Sequence, residues 1–165
     1  MNVTIRPAAD RDIKDILAIV NHAITNTTAI YDYEPRTIEM QKEWFEEKSK
    51  SGFPVIVSEE QGQITGFATY GTFRQKTGYR FTIEHSVYVS TEKTGKGTGS
   101  MLMKELIQLA KSGGYHVMIG AIDASNTGSI DFHRRFGFIQ CGTMKEVGFK
   151  FNKWLNVALM QLKLD

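Results

Sequence analysis

Apolar residues recur along this chain with two different periods, and the switches between them mark out its elements. Residues 3–6 alternate and then meet Pro7, the pattern of an edge strand that ends there. The spacing then changes. Ile13, Ile16, Leu17, Val20 and Ile24 fall at i, i+3, i+4, i+7 and i+11, the stripe of an amphipathic helix that Asp10 is placed to cap. Residues 25–36 carry Asn, Thr, Tyr and Pro without a period and read as a loop, with Tyr31 and Tyr33 available to line a substrate mouth or to cover core. Thr37 caps a second helix whose inward face takes in Met40, Trp44, Phe45 and Lys48, and Gly52 ends it.

From there the period falls to two. Residues 53–58 and 64–72 are β-rich runs joined across 59–63, a hairpin, and 71–78 form a polar loop. The stretch 81–112 is the centre of the pattern: a strand rising to Val87, Tyr88 and Val89, a turn with Gly95, Gly97 and Gly99, and a helix through Leu102, Leu106, Leu109 and Ala110. Gly113 and Gly114 stop that helix. An apolar strand follows over 116–122, then a turn at 123–127 and a short helix at 128–136 closed by Gly137. The chain finishes with strands at 138–147 and 154–163 around a loop at 148–153. The order is β, α, α, three strands, α, β, α, β, β, which places helices on both faces of a mixed sheet.

Composition narrows the function classes without choosing one. With 165 residues and 41% hydrophobic content, a single domain spanning 1–165 with a sizeable core is expected. Twenty basic against 18 acidic residues leave a net charge of +2, scattered rather than striped, which argues against nucleic acid as a partner. No stretch reaches the length of a membrane span, and residues 1–6 open without a leader-like apolar run, so no membrane partner and a cytoplasmic location are expected. Cys141 is the only cysteine and is expected to pack as a small apolar residue.

The glycine turn is the strongest chemical signal. A strand, a glycine loop and a helix N-terminus turn several N–H groups into one space, where a phosphate fits. A P-loop needs Gly-Lys followed by Ser or Thr, but Lys96 is followed by Gly97. A dinucleotide fingerprint needs G-x-G-x-x-G, whereas Gly95, Gly97 and Gly99 run G-x-G-x-G. Glu84, on the strand before the turn, is placed to act as a base directly or through water.

The turn resembles the pyrophosphate loop of the GNAT N-acetyltransferases, whose pattern of Gln or Arg, two residues, Gly, one residue, Gly or Ala falls on Thr94, Gly97 and Gly99. Thr94 departs from it, and Lys93 or Lys96 can supply the missing charge. The segments IRPA, IVNHAI, FTIEHSVYVS, HRRFGF and GFKFNKW are similar to the phosphinothricin and methionine sulfoximine branch, over nearly the whole chain. This resemblance implies an α/β (α+β) fold with a mostly antiparallel sheet of about seven strands. It implies acetyl-CoA as co-substrate and no metal. Gly95, Lys96, Gly97, Thr98, Gly99 and Ser100 would hold the pyrophosphate, Val87, Tyr88 and Val89 the pantetheine and thioester oxygen, and Asn126 the pantetheine.

Glu84 would be the base and His133 the acid that protonates the thiolate. The acceptor, a small amino-acid-like amine, would be met by Phe73, Arg74, Arg80, His85, Lys150 and Trp154, and the last strands would pair in a homodimer. Two other readings stay open: a relative acting on a peptide N-terminus, polyamine or aminoglycoside, or a non-catalytic acetyl-CoA sensor.

Overall fold

The computed structural model describes residues 3–91 and 97–164. Its elements are β1 (Val3–Pro7), α1 (Ile13–Asn26), α2 (Ile38–Lys50), β2 (Val55–Glu60), β3 (Gln63–Thr72), β4 (Thr82–Val89), α3 (Thr98–Ser112), β5 (Val117–Asp123), α4 (Thr127–Arg134), β6 (Ile139–Lys150) and β7 (Lys153–Lys163). The strands form one seven-stranded sheet in the order β1-β2-β3-β4-β5-β7-β6. Every pairing is antiparallel except that of β4 with β5.

Strand alternation sorts the core into two layers. Ile56, Ala68, Tyr70 and Ile83 point to the face covered by α3, where they meet Leu102, Met103 and Leu106. Val55, Val57 and Phe67 point to the opposite face and meet Ile16, Val20 and Ile24 of α1. Gly66 is needed where β3 and β4 come close, because a Cβ there would lie 2.7 Å from the Tyr88 carbonyl oxygen.

Several local expectations need correction. Asp10 does not cap α1; it opens a 3-10 turn, Asp10–Asp12. Asp12 instead reaches back, its carboxylate accepting the Ala9 N–H at 2.8 Å and pairing with Arg6 at 2.7 Å. On α2, Thr37 does cap, accepting from the Met40 N–H at 3.2 Å, but Met40 is exposed and Gln41 takes the inward position. Lys48 follows Gln41 by two turns and donates to the Tyr70 carbonyl at 2.8 Å. Cys141 is exposed, because it lies on the outer strand β6 at a bulge, where its thiol donates to the Leu159 carbonyl.

The expected loop at 148–153 is a two-residue turn. Lys150 pairs with Lys153, and Phe151 and Asn152 both take positive φ, 51° and 58°, as a turn this tight requires. No Gly marks it in the sequence. The tip of this hairpin packs on the loop after α1: Gly148 lies so close to Tyr31 that a Cβ would sit 2.2 Å from its ring, and the Tyr33 hydroxyl donates to the Phe149 carbonyl.

Candidate active site

β4 and β5 run together only at Thr82–Val117, Ile83–Met118 and Glu84–Ile119. Beyond Glu84 they part, so the β4 N–H groups on that side have no ladder to join. A cavity of about 230 Å³ fills the gap, with Glu84 to Tyr88 on one wall, Gly120 to Asp123 on the other, and Thr28, Ala29 and Tyr31 bordering it from the loop after α1. A second cavity of about 450 Å³ shares Thr28, Ala29, Val87, Tyr88 and Asn126 with the first and continues along α1 to Thr91. Together they make a channel from the end of β4 to Glu84.

At the outer end of β4 stands the N-terminus of α3. Gly97 begins it in the left-handed region, φ 86°, and offers no side chain to cap the fifteen-residue helix. Such an end is suited to a phosphate. Gly99 lies against Val89, with room for a Cβ at 3.5 Å, and Thr98 is buried, so what Thr98 can offer a ligand is its backbone. Ser100 is half-buried in the first turn. Gly95 and Lys96, with Lys93 and Thr94, lie outside the described residues. Asn126 borders both cavities and caps α4, its Oδ1 accepting the Ser129 N–H at 3.0 Å.

Glu84 lines the inner cavity with its side chain still reaching solvent, and the partial loss of water around its carboxylate raises its pKa above the ordinary value, which makes it a better base. His85 and His133 are stacked beneath it, buried, with their Nε2 atoms 3.1 Å apart. Gly120 makes room for the pair, since a Cβ would lie 2.9 Å from His85 Nε2. His133 Nδ1 is 2.6 Å from the Ser129 carbonyl, which can only accept, so Nδ1 carries a proton. Burial lowers the pKa of His133, against the opposing effect of the Ser129 bond, and burial with the neighbouring His133 pushes His85 down to about 3. Both rings are therefore neutral at pH 7, with His85 Nε2–H donating to His133 Nε2. An imidazolium at His133, the form a general acid would need, is not what this environment favours.

The basic residues expected at the acceptor do not reach this cavity. Arg74 stacks on Phe73 and Tyr79, with its guanidinium 5.3 Å and 5.7 Å from the ring centres, and Arg80 covers Phe81 at 4.4 Å. They border a separate cavity of about 270 Å³ at the start of β4. Lys150 is buried, its ammonium donating to the carbonyls of Ile24, Thr27 and Ile30 at 2.6, 2.9 and 2.5 Å. All three of its protons are committed, so it is a strut and not a free cation. Trp154 is 63% exposed at the hairpin tip, its ring tilted against that of Phe149. Among the residues lining the inner cavity there is neither Lys nor Arg.

Sequence reasoning passed over Asp123, which it placed in a turn. It is a carboxylate at the C-terminal end of a buried strand, and that position was the available signal. Among the described residues no cluster of His, Cys, Asp or Glu could hold a metal ion, and no helix is long and apolar enough to cross a membrane.

A parted strand pair, a helix end suited to phosphate and a carboxylate at the junction can hold a long phosphate-bearing ligand with its far end beside a base. The family described as "Acetyltransferase (GNAT) domain" matches residues 5–159, and the chain belongs to it. It is 44% identical to the L-methionine sulfoximine/L-methionine sulfone acetyltransferase of Pseudomonas aeruginosa, over 100% of this chain and 96% of that protein. An N-acetyltransferase structure from Staphylococcus aureus Mu50 superposes with a TM-score of 0.99 at 47% identity, covering 100% of both chains. A phosphinothricin acetyltransferase from Sinorhizobium meliloti, solved with acetyl-CoA, superposes with a TM-score of 0.95 at 35% identity, covering 99% of this chain and 89% of that one. The chain is thus a member of the GNAT acetyltransferase family.

Proposed function

We propose that this protein acetylates the amino group of a small amino-acid-like acceptor, of the kind named for its relatives: methionine sulfoximine, methionine sulfone or phosphinothricin. The observation that carries the mechanism is Glu84 at the last rung of the β4–β5 pairing, at the mouth of the gap. Near neutral pH an amine acceptor is mostly an ammonium ion and has no lone pair to attack with. Glu84 takes one proton from it, directly or through a water. The N–H groups of β4 between Val87 and Val89 then face the carbonyl oxygen that gains charge as nitrogen adds to the thioester. The C–S bond breaks, and the sulfur accepts the second proton released by nitrogen, leaving an amide and a free thiol. Glu84 returns its proton to solvent.

In this scheme Gly97 to Ser100, with the adjoining Gly95 and Lys96, hold the pyrophosphate, and Asn126 steadies the pantetheine. No step needs His133 as an imidazolium, and we assign the neutral His85–His133 pair to the floor of the cavity. The acceptor's acidic end falls to residues beyond the cavity lining, since that lining has no basic side chain. We further place the protein in the cytoplasm, where CoA thioesters are available, and as a homodimer through β6, a twelve-residue outer strand bearing exposed Ile139, Met144, Val147 and Phe149. A monomer in sedimentation, or recovery outside the cytoplasmic fraction, would remove those two points.

The test is thiol release from acetyl-CoA over an acceptor panel. It includes spermidine and an aminoglycoside, because Arg74, Arg80 and Lys150, whose charge would repel such acceptors, do not line the cavity. Transfer to the sulfone or sulfoximine ahead of these is expected, and transfer only to polyamines would overturn the assignment. Glu84→Gln is expected to lower kcat by about 10²-fold with the acetyl-CoA KM little changed, the usual scale for loss of a general base.

A further inference from the structure

We infer that Asp123, with the Tyr31 hydroxyl, is the anchor for the acceptor's ammonium group, in the cavity that Glu84 lines and on β5, beyond the Ile119 that pairs with Glu84. The inference rests on the acetyltransferase reading above and adds which residues select an amine and hold it for deprotonation. Asp123 is 7% exposed. Its Oδ1 is fully used, accepting the Ser125 N–H at 2.9 Å and the Ser125 hydroxyl at 2.7 Å. Its Oδ2 is buried and has no hydrogen-bond partner, and the buried Tyr31 hydroxyl has none either. Both residues line the cavity that Glu84 lines.

A buried carboxylate oxygen left unbonded is costly unless a ligand completes it. The complement of a carboxylate oxygen and a phenol, in a cavity lined by no Lys or Arg, is a group carrying several N–H donors and a positive charge. A primary ammonium meets that description, and an alcohol or thioether does not.

The two carboxylates also differ in basicity, as the roles require. Partial loss of water around its carboxylate raises Glu84. Burial would raise Asp123 too, but the polar surroundings outweigh it: the nearby Thr28 dipole, which leaves Oδ2 unbonded, the Ser125 bonds to Oδ1 and the charge of Lys153 hold Asp123 below its ordinary value. Two acids in one cavity pushed in opposite directions divide the work: Asp123 stays ionised and grips the ammonium, and Glu84 accepts the proton. Tyr31 is held in place by Gly148, which lies against its ring.

The experiment compares wild type, Asp123→Asn and Tyr31→Phe with L-methionine sulfone as acceptor and its 2-hydroxy counterpart, which lacks the amine, as competitor. Asp123→Asn keeps Oδ1 for Ser125, and Tyr31→Phe keeps the ring against Gly148. The acceptor KM is expected to rise roughly tenfold in Asp123→Asn and a few-fold in Tyr31→Phe, the scale of one charge-assisted and one neutral hydrogen bond, with the acetyl-CoA KM unmoved. The wild-type preference for the amine over the hydroxy competitor should collapse in Asp123→Asn. An unchanged acceptor KM and an unchanged preference in both variants would overturn the inference and leave the acetyltransferase reading standing. Failure of the wild type to acetylate any amine on the panel would overturn both. Should Asp123→Asn fail to fold, the Tyr31→Phe result decides.

Discussion

Replacing Lys150 separates two accounts of one residue. A free lysine near the acceptor would matter for catalysis; the strut described here matters for the fold. Lys150→Met keeps the aliphatic stem and removes the ammonium that holds the carbonyls of Ile24, Thr27 and Ile30. The bond to Ile24 is buried, so its loss costs about 2 kcal/mol, and the two part-buried carbonyls, which water can reach, lose about 0.5–1 kcal/mol each. The sum is roughly 3–4 kcal/mol, or a fall in Tm of about 10 °C for a chain of this size. Urea and thermal unfolding followed by circular dichroism measure it, with Trp154→Ala at the exposed hairpin tip as a control expected to lose far less. Because the same loop carries Thr28 and Tyr31 to the cavity, acceptor binding should weaken together with stability. A Lys150→Met protein of wild-type stability that had lost its acceptor would refute the reasoning and return Lys150 to the role of substrate cation.

Two further outcomes follow from the packing. Gly148→Ala would place a Cβ 2.2 Å from the Tyr31 ring and drive that ring aside, so steady-state kinetics should show a raised acceptor KM with the acetyl-CoA KM unchanged. Asp12 is held below its ordinary pKa, chiefly by its bond from Arg6, so its contribution is complete above about pH 4 and is lost as pH falls through the lowered value. Asp12→Asn should therefore cost about 1.5–3 kcal/mol at pH 7 in denaturant titrations, and the gap from wild type should close in acid.

Elements came through clearly wherever one period ran for several turns or rungs. Helix α1, the β2–β3 hairpin, strand β4 and helix α3 needed only local spacing; the mostly antiparallel sheet of about seven strands was expected from the family resemblance, and seven strands are present. The β6–β7 turn was missed because Phe151 and Asn152 take up positive φ without the Gly that usually announces it. Met40 was put on the inner face of α2 in place of Gln41 because hydrophobicity was read as burial, and that rule fails for single residues.

The candidate site divides in the same way. Glu84 and the glycines before α3 were proposed from the sequence on local grounds: a carboxylate on a strand, and glycines ahead of a helix. The standing of each cation and acid could not. Arg74, Arg80, Lys150 and Asp123 are all ordinary polar residues in a linear reading, and their partners lie far along the chain, as with Lys150 and the carbonyl of Ile24. Short-range spacing therefore determined the elements and the family pattern. Which charges are spent on the protein's own backbone, and which remain free to face a ligand, was decided by where β4 and β5 separate and by what the β6–β7 hairpin packs against. Those contacts join residues remote in sequence, and no local pattern encodes them.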